Sequence, residues 1–272
     1  MIHSWNDGFD TAESPRRAVY SNCIAIDNCG QGFSCHGTGE AFYEDCIAIR
    51  CGSSGACNVD SSLAIYSRCI FYNNVFEAGV FNSDRADSRF YDCLILDNHP
   101  FEQATLHRNA SFSFFNCVLR ADRQDNAVCT LNAGKLLLQN CTVLGGRSLV
   151  HFLNKTRGFF HMENCLIGKQ KEYLFSISDN ADRLFLRNNG YFSTPGIRLR
   201  GKTVKELLPG DTGSAWITIP DTSLQHGIPP AELPPSGKRR GASLPVQVWK
   251  RFEQYKNASA TTTGIVVSAL PH

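Results

Sequence analysis

Long hydrophobic runs are missing. No stretch of 18 apolar residues occurs, so no segment reads as a membrane-spanning helix. Residues Met1-Ile2-His3-Ser4-Trp5 carry neither the basic start nor the apolar core of an export signal. An excess of one charge is missing as well: Lys+Arg 27 against Asp+Glu 25 leaves +2, which gives no field arguing for nucleic acid or an anionic membrane as partner. The CxxC knuckles of zinc sites, an HExxH pair and a phosphate loop are also lacking. Proline is scarce through most of the chain, with only Pro15 and Pro100 ahead of residue 195, and cysteine is absent after Cys165 although the chain holds 12. What is present, 42% hydrophobic and 11% aromatic residues over 272 positions, is too apolar for disorder and sufficient for a sizeable core.

The two uneven distributions put a boundary near residue 195. Residues 1–194 form a cysteine-bearing body, and 195–272 form an extension with nine prolines, 10 basic and 5 acidic residues. The extension includes the Pro-rich stretch Ile228-Pro229-Pro230-Ala231-Glu232-Leu233-Pro234-Pro235, which favours extended polyproline backbone. After it, Val248, Trp249, Phe252 and Tyr255 fall on one broad helical face behind Ser243 and Pro245. That pattern predicts a short helix packing on the last coil of the body.

The body is a repeat. Cys23, Cys46, Cys69, Cys93, Cys117, Cys141 and Cys165 follow one another at steps of 23, 23, 24, 24, 24 and 24, and Asn189 takes the next slot. The phrase around each recurs: Tyr20-Ser21-Asn22-Cys23-Ile24, Tyr43-Glu44-Asp45-Cys46-Ile47, Tyr66-Ser67-Arg68-Cys69-Ile70, Phe90-Tyr91-Asp92-Cys93-Leu94. Neither leucine-rich nor helical spacing appears. The period is two, with Ala41, Ala64, Ser88, Phe112, Leu136, Phe160 and Leu184 in one inward column and Tyr43, Tyr66, Phe90, Phe114, Leu138, Met162 and Leu186 in the next. Asn, Asp or Arg stands just before each cysteine, and Asn tolerates the left-handed backbone of a sharp corner. Each coil therefore predicts three short strands. One ends at that corner, a second starts at the cysteine, and a third begins about ten residues later, as in Gly32-Phe33-Ser34-Cys35 and Gly79-Val80-Phe81-Asn82. A coil of 23 to 24 residues is too long for a hairpin and fits three parallel strands wound into a solenoid.

On these residues, 8 to about 194, the chain resembles the right-handed parallel β-helix of the pectin lyase-like superfamily. The resemblance implies an all-β, right-handed solenoid of about eight coils, with a sugar-binding cleft on the outer face of the third strand. It implies a carbohydrate-active protein, a lyase or glycoside hydrolase acting on an extracellular polysaccharide, located outside the cell or in the periplasm. The same fold also serves non-catalytic carbohydrate-binding, adhesive or structural modules, so both functions stand as expectations. Gly8-Phe9-Asp10 aligns with Gly32-Phe33-Ser34, so the chain starts partway round a coil. The alignment predicts a chain without an N-terminal cap, as in a fragment, with apolar surface around Phe9, Val19 and Ile24 expected to be exposed.

The ionisable residues crowd at one place. Counting back from each cysteine puts Asp60, Asp84 and Arg108 in one column of successive coils, with His36 and His107 beside it and Glu40, Arg85 and Asp87 on adjoining loops. Two close carboxylates can share a proton, hold a cation or act as a hydrolase pair, while Arg108 or a histidine can serve as a base toward a uronate. Asp60, Asp84, Arg108 and His107 are the catalytic candidates, and His36, Glu40, Arg85 and Phe81 the substrate-binding ones. Turn formation by Asp60 and Asp84 accounts for the same residues. The outward column of the third strand reads Ser34, Cys57, Phe81, Thr105, Cys129 and Leu153, without charge. No cofactor is called for, a calcium ion being compatible with the pattern but not indicated by it, and no metal ligand set is assigned. The seven-cysteine column reads as core packing rather than disulfides, since side chains stacked in parallel suit disulfide geometry poorly.

Overall fold

The computed structural model describes residues 5–11, 17–75, 78–98, 102–121, 126–153, 158–177, 184–199, 202–208, 210–219 and 240–258. Each coil lays down three strands, and like strands of successive coils pair in parallel. The first sheet has ten strands and starts with Phe9–Thr11 and Phe33–Cys35. The second has eight, from Arg17–Ser21 and Glu40–Glu44 onward. The third has nine and includes Ile24–Ile26 and Ile47–Ile49. Lys202–Val204 alone joins antiparallel, against Ile197–Leu199. The result is an all-β parallel solenoid of about seven turns, with one helix, Val246–Tyr255, among the described residues.

Alternation fills the interior. In the second sheet Tyr20, Tyr43, Tyr66, Phe90 and Phe114 lie in register. Their rings stack at 5.0, 4.6, 4.7 and 4.8 Å between centroids, each contact adding about 0.5–1.5 kcal/mol beyond its buried area. Asn22, Asp45, Arg68, Asp92, Asn116, Asn140, Asn164 and Asn188 all take left-handed backbone, φ 53 to 56°, which turns the chain from the second sheet into the third. Every one of these residues immediately precedes the cysteine column or Asn189.

The cysteines of the repeating column from Cys46 to Cys165 are wholly buried, and all twelve thiols of the chain are free. They do more than fill space. The Cys93 thiol donates to the Tyr66 carbonyl at 3.6 Å and accepts the Cys69 backbone N–H at 3.3 Å. Asn189, at the end of the column, makes the same two bonds through its amide, to the Met162 carbonyl at 3.1 Å and from the Cys165 N–H at 2.9 Å. A second ladder mixes the same two residue types: Asn74 accepts the Cys51 N–H and Asn98 accepts the Asn74 N–H, both at 3.0 Å.

Three expectations need correction. In the first sheet Thr105 pairs with Thr130 and Thr130 with His151, so Cys129 and Leu153 do not belong to the outward column. Cys129 pairs with Ala104 and points inward, and Asn132 stands beside His107. That coil gains a residue before the strand and gives it back in the turn after, so counting from the cysteines slips by one there, and by two the other way in the next coil, where His151 stands in place of Leu153. The winding also continues past residue 194, because Ile197–Leu199 and Ala215–Trp216 extend the first and third sheets.

The third correction concerns the helix, which does not sit on the last coil. From the last coils, where Arg240 bonds the Asn188 carbonyl and Gly241 the Asn164 carbonyl, the chain runs back along the rod. Ala242 meets Thr142, Ser243 meets Asn116, Phe252 packs on Tyr72, and Arg251 lies 3.4 Å from Asp45. Val248 and Phe252 thereby cover the outer face of the third sheet: Ile26, Ile47, Ile49, Ile70, Leu94 and Leu96. The strands Ile24-Ala25-Ile26, Ile47-Ala48-Ile49 and Leu94-Ile95-Leu96 are apolar at every position, as a sheet buried on both faces requires. The Pro-rich stretch 228–235 lies outside the described residues. At the first coil, Val19 is 68% exposed and Phe9 and Ile24 are half-buried.

Candidate functional site

Asp60, Asp84 and Arg108 do fall on successive coils, at the turns joining the first sheet to the second. Each takes left-handed backbone, with φ of 60, 54 and 51°, so the turn itself selects these positions. Asp84 is held by Arg108 at 3.0 Å and by the Ser83 hydroxyl at 2.9 Å. Those bonds pull its carboxyl below the usual aspartate range, which keeps it ionised and unsuited to acid duty at neutral pH. Among the described residues its ionic partner is Arg108. Arg85 is an exposed residue of the same turn.

The flanking residues separate. His107 faces the Phe81 ring, 5.6 Å between centroids, and Asn132 at 3.4 Å. His36 shares its column but lies three rungs away, about 14 Å at the ordinary strand spacing. There it approaches Asp10 at 3.6 Å instead. Glu40 opens a strand of the second sheet, between Arg17 and Leu63. The outer face of the first sheet is also largely closed: Cys57, Thr105 and Thr130 are 5, 7 and 4% exposed.

The second sheet carries the open face. Asp87, Arg89, Tyr91, Ser113, Phe115, Lys135, Leu137, Phe159 and His161 line a groove of about 400 Å³ across four successive strands. Tyr91 and Phe115 stack 4.9 Å apart and 10° from parallel, forming one flat aromatic platform. Phe159 is 43% exposed beside it. Arg89 is paired with Asp87 at 2.8 Å on one wall. Burial lowers the His161 pKa, outweighing the Glu163 carboxylate 3.7 Å away. Its imidazole is therefore neutral near pH 7, one nitrogen donating and one accepting. The signal was present in the repeat: two places before the cysteine, Tyr91 and Phe115 replace the Ser, Glu, Gln and Arg of the other coils.

No protein-family model, curated protein or solved structure matches this chain. The class rests on the winding itself: a β-helix-type parallel solenoid, a fold compatible with carbohydrate-active and carbohydrate-binding proteins in general. No helix among the described residues is long and apolar enough to cross a membrane.

Proposed function

We propose that the chain is a non-catalytic carbohydrate-binding solenoid that holds a polysaccharide along the second sheet. The observation that carries this reading is the coplanar Tyr91–Phe115 platform in an open groove. The C–H face of a sugar ring lies flat on such a surface, and the walls supply donors and acceptors of both kinds for hydroxyls: Asp87, Arg89, Lys135 and neutral His161. Four strands at about 4.8 Å span on the order of 14 Å, room for a short run of sugars. The lyase or hydrolase alternative keeps Asp84 and Arg108 as its residues, with His107 and Asp60 nearby. The geometry favours it less, because Arg108 pairs with the Asp84 carboxylate and holds it ionised. A location outside the cell belongs to the same proposal, and the twelve free thiols are what it must accommodate.

The test is affinity electrophoresis of the full chain through gels containing acidic or neutral polysaccharides, with product analysis for unsaturated sugars and new reducing ends. Retardation by at least one polymer without any product is expected, and Phe115→Ala should weaken retardation at least about tenfold. Product formation abolished by Asp84→Asn would replace this reading with the enzymatic one. Unchanged retardation in Phe115→Ala would remove the groove from it.

A further inference from the structure

At the N-terminal edge of the first sheet, Asp7, Asp10 and His36 bring two carboxylates and an imidazole together on two adjacent rungs. One ligand atom from each lies within 4.8 Å of the others. Beneath them the wholly buried Ser34 hydroxyl lies 2.7 Å from Asp7 Oδ2 and 2.8 Å from Asp10 Oδ1. A hydroxyl has one proton. With both carboxylates ionised, one of these two short oxygen–oxygen contacts has no hydrogen in it, and the cluster lacks a positive charge. The Gln31 side-chain amide eases the deficit in part by donating its N–H to the Asp7 carboxylate. The Gln31 backbone N–H, donating to Asp7 Oδ1 at 2.8 Å, and His36 also oppose it.

We infer that Asp7, Asp10 and His36 bind a divalent transition-metal ion, with Ser34 orienting the carboxylates from below. The donor set selects the metal class. Calcium and magnesium take oxygen ligands, whereas a set that includes an imidazole suits manganese, iron or zinc. Access is open, since the Asp10 and His36 side chains are 41% and 34% exposed. The ion would tie the strand Phe9–Thr11 to its partner Phe33–Cys35 in the first sheet. It stands apart from the groove on the second sheet and does not depend on the sugar reading.

The full chain, stripped with chelator and exchanged into metal-free buffer, is titrated with manganese(II) while the paramagnetic resonance signal of the free ion is followed. One equivalent should be retained. Asp10→Asn and His36→Gln should each weaken retention at least about tenfold with circular dichroism unchanged, while Glu206→Gln on the distant extension should retain it fully. Retention lost in Asp10→Asn but intact in His36→Gln would show an oxygen-only site and overturn the mixed set. No retained equivalent, or equal retention in Asp10→Asn, would leave a protonated carboxyl as the source of the missing charge and overturn the site itself.

Discussion

Cysteine and asparagine trade places in this protein because one geometric slot asks for one donor and one acceptor. At Cys93 a thiol bridges the carbonyl and N–H of the coil before it, and at Asn189 an amide bridges the equivalent pair. The slot at Cys51 sits within the asparagine ladder, so Cys51→Asn should change stability by less than about 1 kcal/mol, while Cys51→Ala should cost about 1–3 kcal/mol. Chemical denaturation of both variants checks the contrast. Burial raises the thiols of Cys69 and Cys93, and pushes Cys51 up to about 12. The folded chain therefore holds the neutral form, and the unfolded chain releases protons first. The contribution is fully present below the ordinary thiol pKa of about 8.5 and is lost as pH rises toward the folded value, at about 1.4 kcal/mol per pH unit per thiol. Melting temperature in the presence of reductant should be flat from about pH 6 to 8 and fall above about pH 9, less steeply in Cys51→Asn.

Elements meet in this fold through contacts that leave no spare volume. A Cβ on Gly55 would lie 2.7 Å from Asn74 Nδ2 and 2.7 Å from the Gly79 carbonyl, and one on Gly79 would meet Asn98 Nδ2 at 2.6 Å. The ladder amides occupy the space these glycines leave. Gly55→Ala should cost at least about 2 kcal/mol and disturb the Asn74–Asn98 bonds, visible as faster amide exchange at Asn74. The returning C-terminal segment is the other close fit. Phe252, 6% exposed over Tyr72, should cost about 3–5 kcal/mol as Phe252→Ala. Removal of residues 240–272 should open an apolar face that binds hydrophobic dye and self-associates. The strands were legible from the cysteine register and the alternating columns before it. The placement of the returning segment was not, because it makes contacts across 52 to 208 residues, as between Arg240 and Asn188, between Asn116 and Ser243 and between Arg50 and Ala258. Only the all-apolar strands of the third sheet hinted at a cover.

Across the whole molecule, one sheet is covered by the returning segment, one is largely closed and one presents a groove, and that partition decides where a long polymer can lie. The repeat made the winding and the stack of Asp60, Asp84 and Arg108 legible. It could not separate a column chosen for left-handed turns from one chosen for chemistry, since Asp serves both. Counting from the cysteines gives the column of His36 and His107 but not the three rungs that separate them. The outer aromatic platform was legible only at Tyr91 and Phe115, two coils among several, and stood out once the exposure of the three sheets could be compared. Hydrogen exchange of the full chain, with and without the polysaccharide that retards it most, tests the central claim directly. Slowed exchange is expected in the strands Asp87–Tyr91, Ser111–Phe115, Lys135–Gln139 and Phe159–Glu163, with the turns at Asp60, Asp84 and Arg108 unchanged. Slowing confined to those turns and to Ala56–Asn58, Ala78–Asn82 and Glu102–His107 would contradict it and return the sugar to the first sheet.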